Sequence, residues 1–397
     1  MNEYEILEQL PERQFLDQDL YKFTMMWFVM EHFPNAIVRY EFIDRKNKKY
    51  PKGLGNILRK RVDSFRNMKL SKKHRNAFQN KCKFLPNLFF DFLEGFRLDP
   101  SEVSILQEND GELRINIEGY WYRTILWEII LMSEISEIYH LLSGDKSTKT
   151  KSELKEYNRS KGNTFRMNNL PVVDFGTRRR QSFNNQKNVI SDLKFNGRKS
   201  FIGTSNVLFS IENDIKMIGT FAHECVSAVA TLLGYTHANE HMMELWTKTY
   251  KGSLGIVLTD TFGLDAFLND FDAKYARLFD GVRHDSGDPK LFADKIIEHY
   301  NKLGIDPMSK TIVFSDGLDT RKAIELHEYC LGKIKTSFGI GTHLTCDITG
   351  ITPLNIVIKL FMINDKHVIK LSDVPGKHTG DKRTIELVKE MINYKPL

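Results

Sequence analysis

Cysteine is scarce in this chain and gives no metal-binding pattern. Only four occur in 397 residues (Cys82, Cys225, Cys330 and Cys346), and no two form a CxxC pair. That excludes a disulfide scaffold and a cysteine-built zinc site, and it suits reduced thiols in a cytosol. Long apolar runs are also missing. The best candidate, residues 125–132, is interrupted by Glu128 and followed by Glu134 and Glu137, too short and too charged to span a bilayer. The opening MNEYEILEQLPER has no apolar signal core, so the expected location is the cytoplasm and no membrane partner is expected. No GxxxxGK loop followed by Ser or Thr occurs, which excludes a Walker-type phosphate site. Internal repeats and low-complexity tracts are absent as well.

Charge is present but unevenly placed. The net charge is +6, yet residues 44–83 alone hold 15 Lys/Arg against two Asp, Asp44 and Asp63. The remainder is therefore slightly acidic. A solvated helical face with its loop explains such a segment, and an anion-steering or nucleic-acid patch is the alternative. Few aromatics are interleaved, which weighs against single-strand stacking, so a nucleic-acid partner is not expected.

The second half carries the chemistry. Apolar runs recur there, each ending in reactive or phosphate-binding residue types: PVVDFGTRRR from Pro171, MIGTFAHE from Met217, GIVLTDTFG from Gly255, FDGVRHDSGDP from Phe279, TIVFSDG from Thr311 and TSFGIGTHLTCD from Thr336. Helical periodicity fills the gaps between them. Short buried strands alternating with helices imply a parallel sheet, with a closed or nearly closed α/β barrel as one solution. Chemistry in such barrels sits at the carboxyl ends of the strands, where Arg, His, Asp, Ser and Gly stand here. That pattern describes an enzyme acting on an anionic substrate. Upstream, residues 17–32 are expected to be a helix, 36–43 a strand, 86–96 and 121–142 helices, and 112–120 a strand. Residues 355–373 have the pattern of a hairpin around Asn364-Asp365-Lys366, which fits poorly inside a barrel and is expected to rejoin the N-terminal strands. The expected fold is thus an incomplete α/β barrel over residues 143–349, with a smaller α+β domain from residues 1–142 and 350–397.

Several motifs admit two readings. In GVRHDSGDP, Arg283 offers a planar fork for a carboxylate or phosphate, and Asp285 can serve Mg²⁺ or sugar hydroxyls. Asp288-Pro289 equally reads as a helix cap followed by proline at the first helical position. Gly339-Ile340-Gly341-Thr342 can close backbone N–H groups on a phosphate, or simply form a turn. His223, beside Glu224, is an acid/base or nucleophile candidate, or a structural histidine. Arg178-Arg179-Arg180 is a phosphate clamp or a solvated basic turn. His237-Ala238-Asn239-Glu240-His241 matches the HxxEH pattern of inverted zinc peptidases, without an acidic third ligand that can be singled out.

Taken together, these stretches resemble the bacterial nicotinate phosphoribosyltransferase family. The likeness runs from DLYKFTM at Asp19 through DFGTRRR, GTSN at Gly203, GTFAHE, GVRHDSGDP, SDGLD and FGIGTHLTCD to KLSDVPGK at Lys370, nearly the whole chain in order. It implies a type II phosphoribosyltransferase fold and a homodimer with shared active sites. It also implies that nicotinate and phosphoribosyl pyrophosphate give nicotinate mononucleotide and pyrophosphate, coupled to ATP hydrolysis with Mg²⁺, an entry step of NAD salvage. By position, His223 would be transiently phosphorylated, and Asp285 would stabilise positive charge on the ribose. Tyr21, from the partner, and Phe175 would sandwich the pyridine ring, with Thr220, Arg283 and Ser205 around nicotinate. Ser205 is neutral where nicotinamide-using relatives carry an acidic residue. Arg178, Ser315, Gly317, Gly339, Gly341 and Thr342 would hold phosphates. Two departures are Cys225, where an aromatic is common after His-Glu, and the basic 44–83 segment. A nicotinamide- or quinolinate-using relative, a zinc peptidase and an RNA-binding protein are the competing readings.

Overall fold

The computed structural model describes residues 3–145, 147–373 and 378–395. The last residues of the KLSDVPGK stretch, 374–377, lie outside them. Among the described residues the strands run, in chain order, β1 Ile37–Asp44, β2 Val103–Gln107, β3 Leu113–Tyr120, β4 Val172–Asp174, β5 Phe201–Thr204, β6 Lys216–Met217, β7 Ile256–Leu258, β8 Gly281–His284, β9 Thr311–Phe314, β10 Lys335–Ile340, β11 Ile356–Ile363 and β12 Lys366–His367.

Seven of them form one parallel sheet in the order β6-β5-β4-β10-β9-β8-β7. Its pairs are all parallel. β6 and β7 stand at opposite edges and are not paired with each other, so the barrel stays open. These strands are short and buried, which is why they appear in the sequence as apolar runs rather than alternating ones. Packing between neighbours is close enough to demand glycine at Gly281, where a Cβ would stand 1.9 Å from the Thr311 carbonyl oxygen.

The other five strands form an antiparallel sheet in the order β12-β11-β1-β3-β2. β3 alternates buried and exposed residues over most of its length, as a sheet with one covered face requires. The expected hairpin is present: β11 turns back into β12 through Asn364 and Asp365, both in the left-handed backbone region. β11 then pairs with β1, returning the chain to its N-terminal strands.

Several boundaries differ from expectation. The first long helix begins at Leu20 rather than residue 17, and the carboxylates of Asp17 and Asp19 bind distant partners instead. The apolar stretch after β3 is broken into helices Trp121–Thr124 and Trp127–Ser143. The second is buried along most of its length, glutamates included: Glu134 binds Arg13 and Arg61, and Glu128 binds Lys22. No described helix is long and apolar enough to cross a membrane.

Candidate active site

A cavity of about 300 Å³ opens between the two sheets, within the range of small-ligand sites. One wall comes from the ends of the parallel strands: His223 and Glu224 open the helix His223–Leu233, Asp285 and Ser286 follow β8, and Ser315 to Gly317 follow β9. The other comes from Tyr21, Arg45, Glu128, and residues 356–360 and 368–370 around β11 and β12. Arg178 and Arg179 close it.

His223 is the centre of the polar network. Its Nε2 lies 3.0 Å from Asp285 Oδ2 and 3.1 Å from Lys370 Nζ, and its Nδ1 lies 3.1 Å from Thr261 Oγ1. Asp260 Oδ1 stands behind it at 3.5 Å. Burial, with help from Lys370, outweighs the carboxylates and lowers the His223 pKa below its usual 6.5, so the ring is neutral at neutral pH. Asp285 is the reverse case. Burial opposes its charge, but Arg283, His223 and Lys370 hold its carboxyl well below the usual range. Arg283 donates from Nη2 to Asp285 Oδ1 at 3.0 Å and from Nε to Ser315 Oγ at 2.8 Å, and Ser315 donates to Asp285 at 2.6 Å.

Cations and carboxylates both line the cavity, but among the described residues three of the cations have no acid beside them. No carboxylate pairs with Arg45, Arg179 or Lys359 among the described residues. Burial, together with Arg178 and Arg45, pushes Arg179 down to about 10. Burial, together with Arg45 and Lys370, pushes Lys359 down to about 8. Cations left to repel one another beside a cavity mark a place for a polyanion.

The expected residues divide into two groups. Tyr21, Arg178, His223, Asp285, Ser315 and Gly317 all line this one cavity, with Arg283 bound directly behind. Phe175 lies under the Arg283 guanidinium, 5.9 Å from its ring centroid, and packs on Gly339. Ser205 is buried and donates to Asp19 Oδ1 at 2.7 Å, while the Thr220 carbonyl accepts from Thr24 Oγ1 at 2.6 Å. These two, with Gly339, Gly341 and Thr342, do not line the cavity itself. Gly339 belongs to β10, and Thr342 opens the short helix Thr342–Thr345.

The open alternatives also resolve. Asp288 caps the helix Pro289–Lys302 by accepting from Lys290 N and Leu291 N. The arginine triplet splits: Arg178 and Arg179 face the cavity, whereas Arg180 is buried against Asp17 at 2.6 Å. The HxxEH ligand set does not assemble. His237 and Glu240 gather with Asp270 rather than with His241, and Asp270 also accepts from Asn239 N at the helix start. The basic segment becomes the helices Leu54–Ser64 and Lys72–Lys81, with Arg61 and Lys81 paired to acids and Arg45 in the cavity.

Sequence reasoning gave no site role to Asp260, Lys370, Lys359, Arg45 or Glu224, although Glu224 was noted beside His223. Asp260 stands two residues after β7 in the GIVLTDT run and carried the same strand-end signal as His223. Lys359 carried none, since a single cation within a hairpin looks like its solvated face, and Lys370 carried only its place at the head of KLSDVPGK.

Residues 170–395 match the nicotinate phosphoribosyltransferase (NAPRTase) family, and residues 16–136 match its N-terminal domain. The nicotinate phosphoribosyltransferase of Desulforapulum autotrophicum is 45% identical over 376 residues, 93% of this chain and 96% of that protein. The one from Chromohalobacter salexigens is 44% identical over 95% of this chain and 97% of its own. The crystal structure of the Porphyromonas gingivalis nicotinate phosphoribosyltransferase matches with a TM-score of 0.93 at 38% identity, covering 96% of this chain and all of that one. Strand order, strand-end chemistry and these likenesses agree, and the chain belongs to the nicotinate phosphoribosyltransferase family.

Proposed function

We propose that the protein transfers a phosphoribosyl group from phosphoribosyl pyrophosphate to nicotinate, giving nicotinate mononucleotide and pyrophosphate for NAD salvage. The observation that carries this reading is His223, held between Asp285 and Lys370 in a cavity where, among the described residues, Arg45, Arg179 and Lys359 have no carboxylate partner, in a chain of this family. The C1–O bond of the donor breaks, its electron pair leaves with pyrophosphate, and the ring nitrogen of nicotinate supplies the pair for the new C1–N bond. Positive charge builds on the ribose meanwhile, and the ionised Asp285 carboxylate is the nearby group able to stabilise it. Arg45, Arg178, Arg179 and Lys359 line the cavity, and in this reading they receive the departing phosphates.

Coupling to ATP is part of the proposal. A neutral His223 attacks the γ-phosphorus, an N–P bond forms, and the P–O bond to ADP breaks with its electron pair leaving on ADP. Water later releases phosphate. Burial keeps the ring unprotonated, which is the form a nucleophile needs. Mg²⁺ fits this site. Among the described residues Asp260 Oδ1 is buried without a hydrogen-bond partner, and the Asp260 and Asp285 carboxylates, whose ligand atoms lie within 4.8 Å of each other, would hold the ion and leave His223 free as the nucleophile. When bound there, Mg²⁺ would offset charge on the phosphates.

The test offers nicotinate, nicotinamide and quinolinate separately, with phosphoribosyl pyrophosphate and with or without ATP. Product from nicotinate, increased by ATP, is expected, and equal kcat/KM for nicotinate and nicotinamide would overturn the assignment. His223→Ala should lose ATP hydrolysis and the ATP-dependent gain while keeping part of any ATP-independent turnover.

A further inference from the structure

Behind the cavity wall lies one ammonium group to which neither the sequence reading nor the proposed chemistry gives a role. Lys22 is fully buried, one residue after Tyr21. Its Nζ stands 2.6 Å from Glu128 Oε2 and 2.7 Å from Glu224 Oε2. Both carboxylates line the cavity, and Lys22 itself does not. Glu224 directly follows His223, and its second oxygen accepts from Tyr40 Oη at 2.6 Å and Trp121 Nε1 at 2.7 Å. The second oxygen of Glu128 faces Arg178 Nη1 at 3.5 Å.

We propose that Lys22 is a positioning residue that sets the charge of the cavity wall, offsetting together with Arg178 two carboxylates that would otherwise repel the polyphosphate substrates, and holding Glu224 in place through its Oε2. The inference rests on the phosphoribosyl-transfer reading and deepens it. Two anions in the wall of a site for polyanions make no sense without a compensating cation, and a buried one is not screened by salt. The four donors around Glu224 and Glu128 also fix geometry. They tie helix Leu20–His32, which carries Tyr21, to the start of helix His223–Leu233, and through Glu128 to Arg178. Burial opposes the ammonium charge, but Glu128 and Glu224 outweigh it, so the group stays protonated across the working pH range. Phosphorylating His223 would add about −1.5 to −2 charge next to Glu224, which makes the neutralisation matter most in that state.

The experiment compares steady-state kinetics and acid-labile phosphohistidine yield in the full-length wild type, Lys22→Met, Lys22→Met with Glu224→Gln, and Glu224→Gln. Lys22→Met should raise KM for phosphoribosyl pyrophosphate and for ATP by about tenfold or more, with a smaller change in KM for nicotinate, and should depress the phosphohistidine yield. Adding Glu224→Gln should restore a large part of both losses, which a purely structural lysine would not allow. If Lys22→Met fails to fold, Glu224→Gln alone decides. It leaves the wall one charge more positive and should lower KM for phosphoribosyl pyrophosphate, and a raised KM would overturn the proposal. A uniform loss in kcat with unchanged KM, or no rescue in the double variant, would overturn it as well. Wild type that makes no nicotinate mononucleotide would overturn the parent reading along with this one, whereas active wild type with indifferent variants overturns only the role of Lys22.

Discussion

Glu137 illustrates how differently three carboxylates of one helix are used. Glu128 and Glu134 each meet cations, but among the described residues Glu137 has only a backbone donor, Phe183 N at 3.1 Å, with Arg180 near by. Burial therefore wins over Arg180 and pushes its pKa up to about 7 from an ordinary 4.5. Between those values the folded protein binds a proton that the unfolded chain has released, so stability falls as pH rises through this window. Glu137→Gln keeps an acceptor for Phe183 N and removes the ionisation. It should raise Tm above pH of about 7, by the equivalent of about 3 kcal/mol, and change little near pH 4.5. Thermal melts at both pH values check this, and a loss of Tm on the alkaline side would refute it. In the sequence, all three glutamates were visible only as interruptions of an apolar run. The triplet Arg178-Arg179-Arg180 was equally opaque, because neighbouring residues point in different directions and only the fold separates cavity from core.

At the scale of elements, the parallel strands were legible because full burial leaves unbroken apolar runs, and their polar ends marked the site. β2 went unseen, being short, half-exposed and preceded by Pro100. The break between residues 124 and 127 was also hidden, since no glycine or proline stands there. Gly339-Ile340-Gly341-Thr342 suggested a phosphate turn, but Gly339 lies inside β10, and there a Cβ would stand 2.2 Å from the ring of Phe175. Its lack of a side chain makes room for the aromatic that the family likeness sets against the pyridine ring. Gly339→Ala must therefore displace Phe175, because backbone on both sides is fixed by pairing with β4 and β9. The expected result is a KM for nicotinate raised by about tenfold or more, with KM for phosphoribosyl pyrophosphate far less affected. Unchanged nicotinate kinetics in a variant that folds would remove Phe175 from the ring site.

The whole molecule places the site where its two sheets meet, which explains why the sequence named only half of it. Residues at the ends of the parallel strands advertise themselves by type and position, whereas Arg45 just after β1, Lys359 on β11 and Lys370 after β12 arrive through pairings between distant segments. Tyr21 raises the same question one level higher. It lines the cavity that holds His223 in its own chain, while the family likeness has it reach across a homodimer to stack on nicotinate opposite the partner's ring. Within one chain, no direct ring contact joins Tyr21 to Phe175 among the described residues. Shared sites make a distinctive demand on mixtures. Tyr21→Ala and His223→Ala homodimers should each lack ATP-coupled synthesis. If Tyr21 serves the partner, a hybrid holds one site with both defects and one with neither. Random exchange of equal amounts makes about half of the dimers hybrids, so recovery should approach about a quarter of wild-type activity. If Tyr21 serves its own chain, each site in the hybrid keeps one defect and nothing returns. Subunit exchange followed with differently tagged chains, with activity read on the same samples, separates these outcomes. Exchange without recovery would place Tyr21 in the site of its own chain.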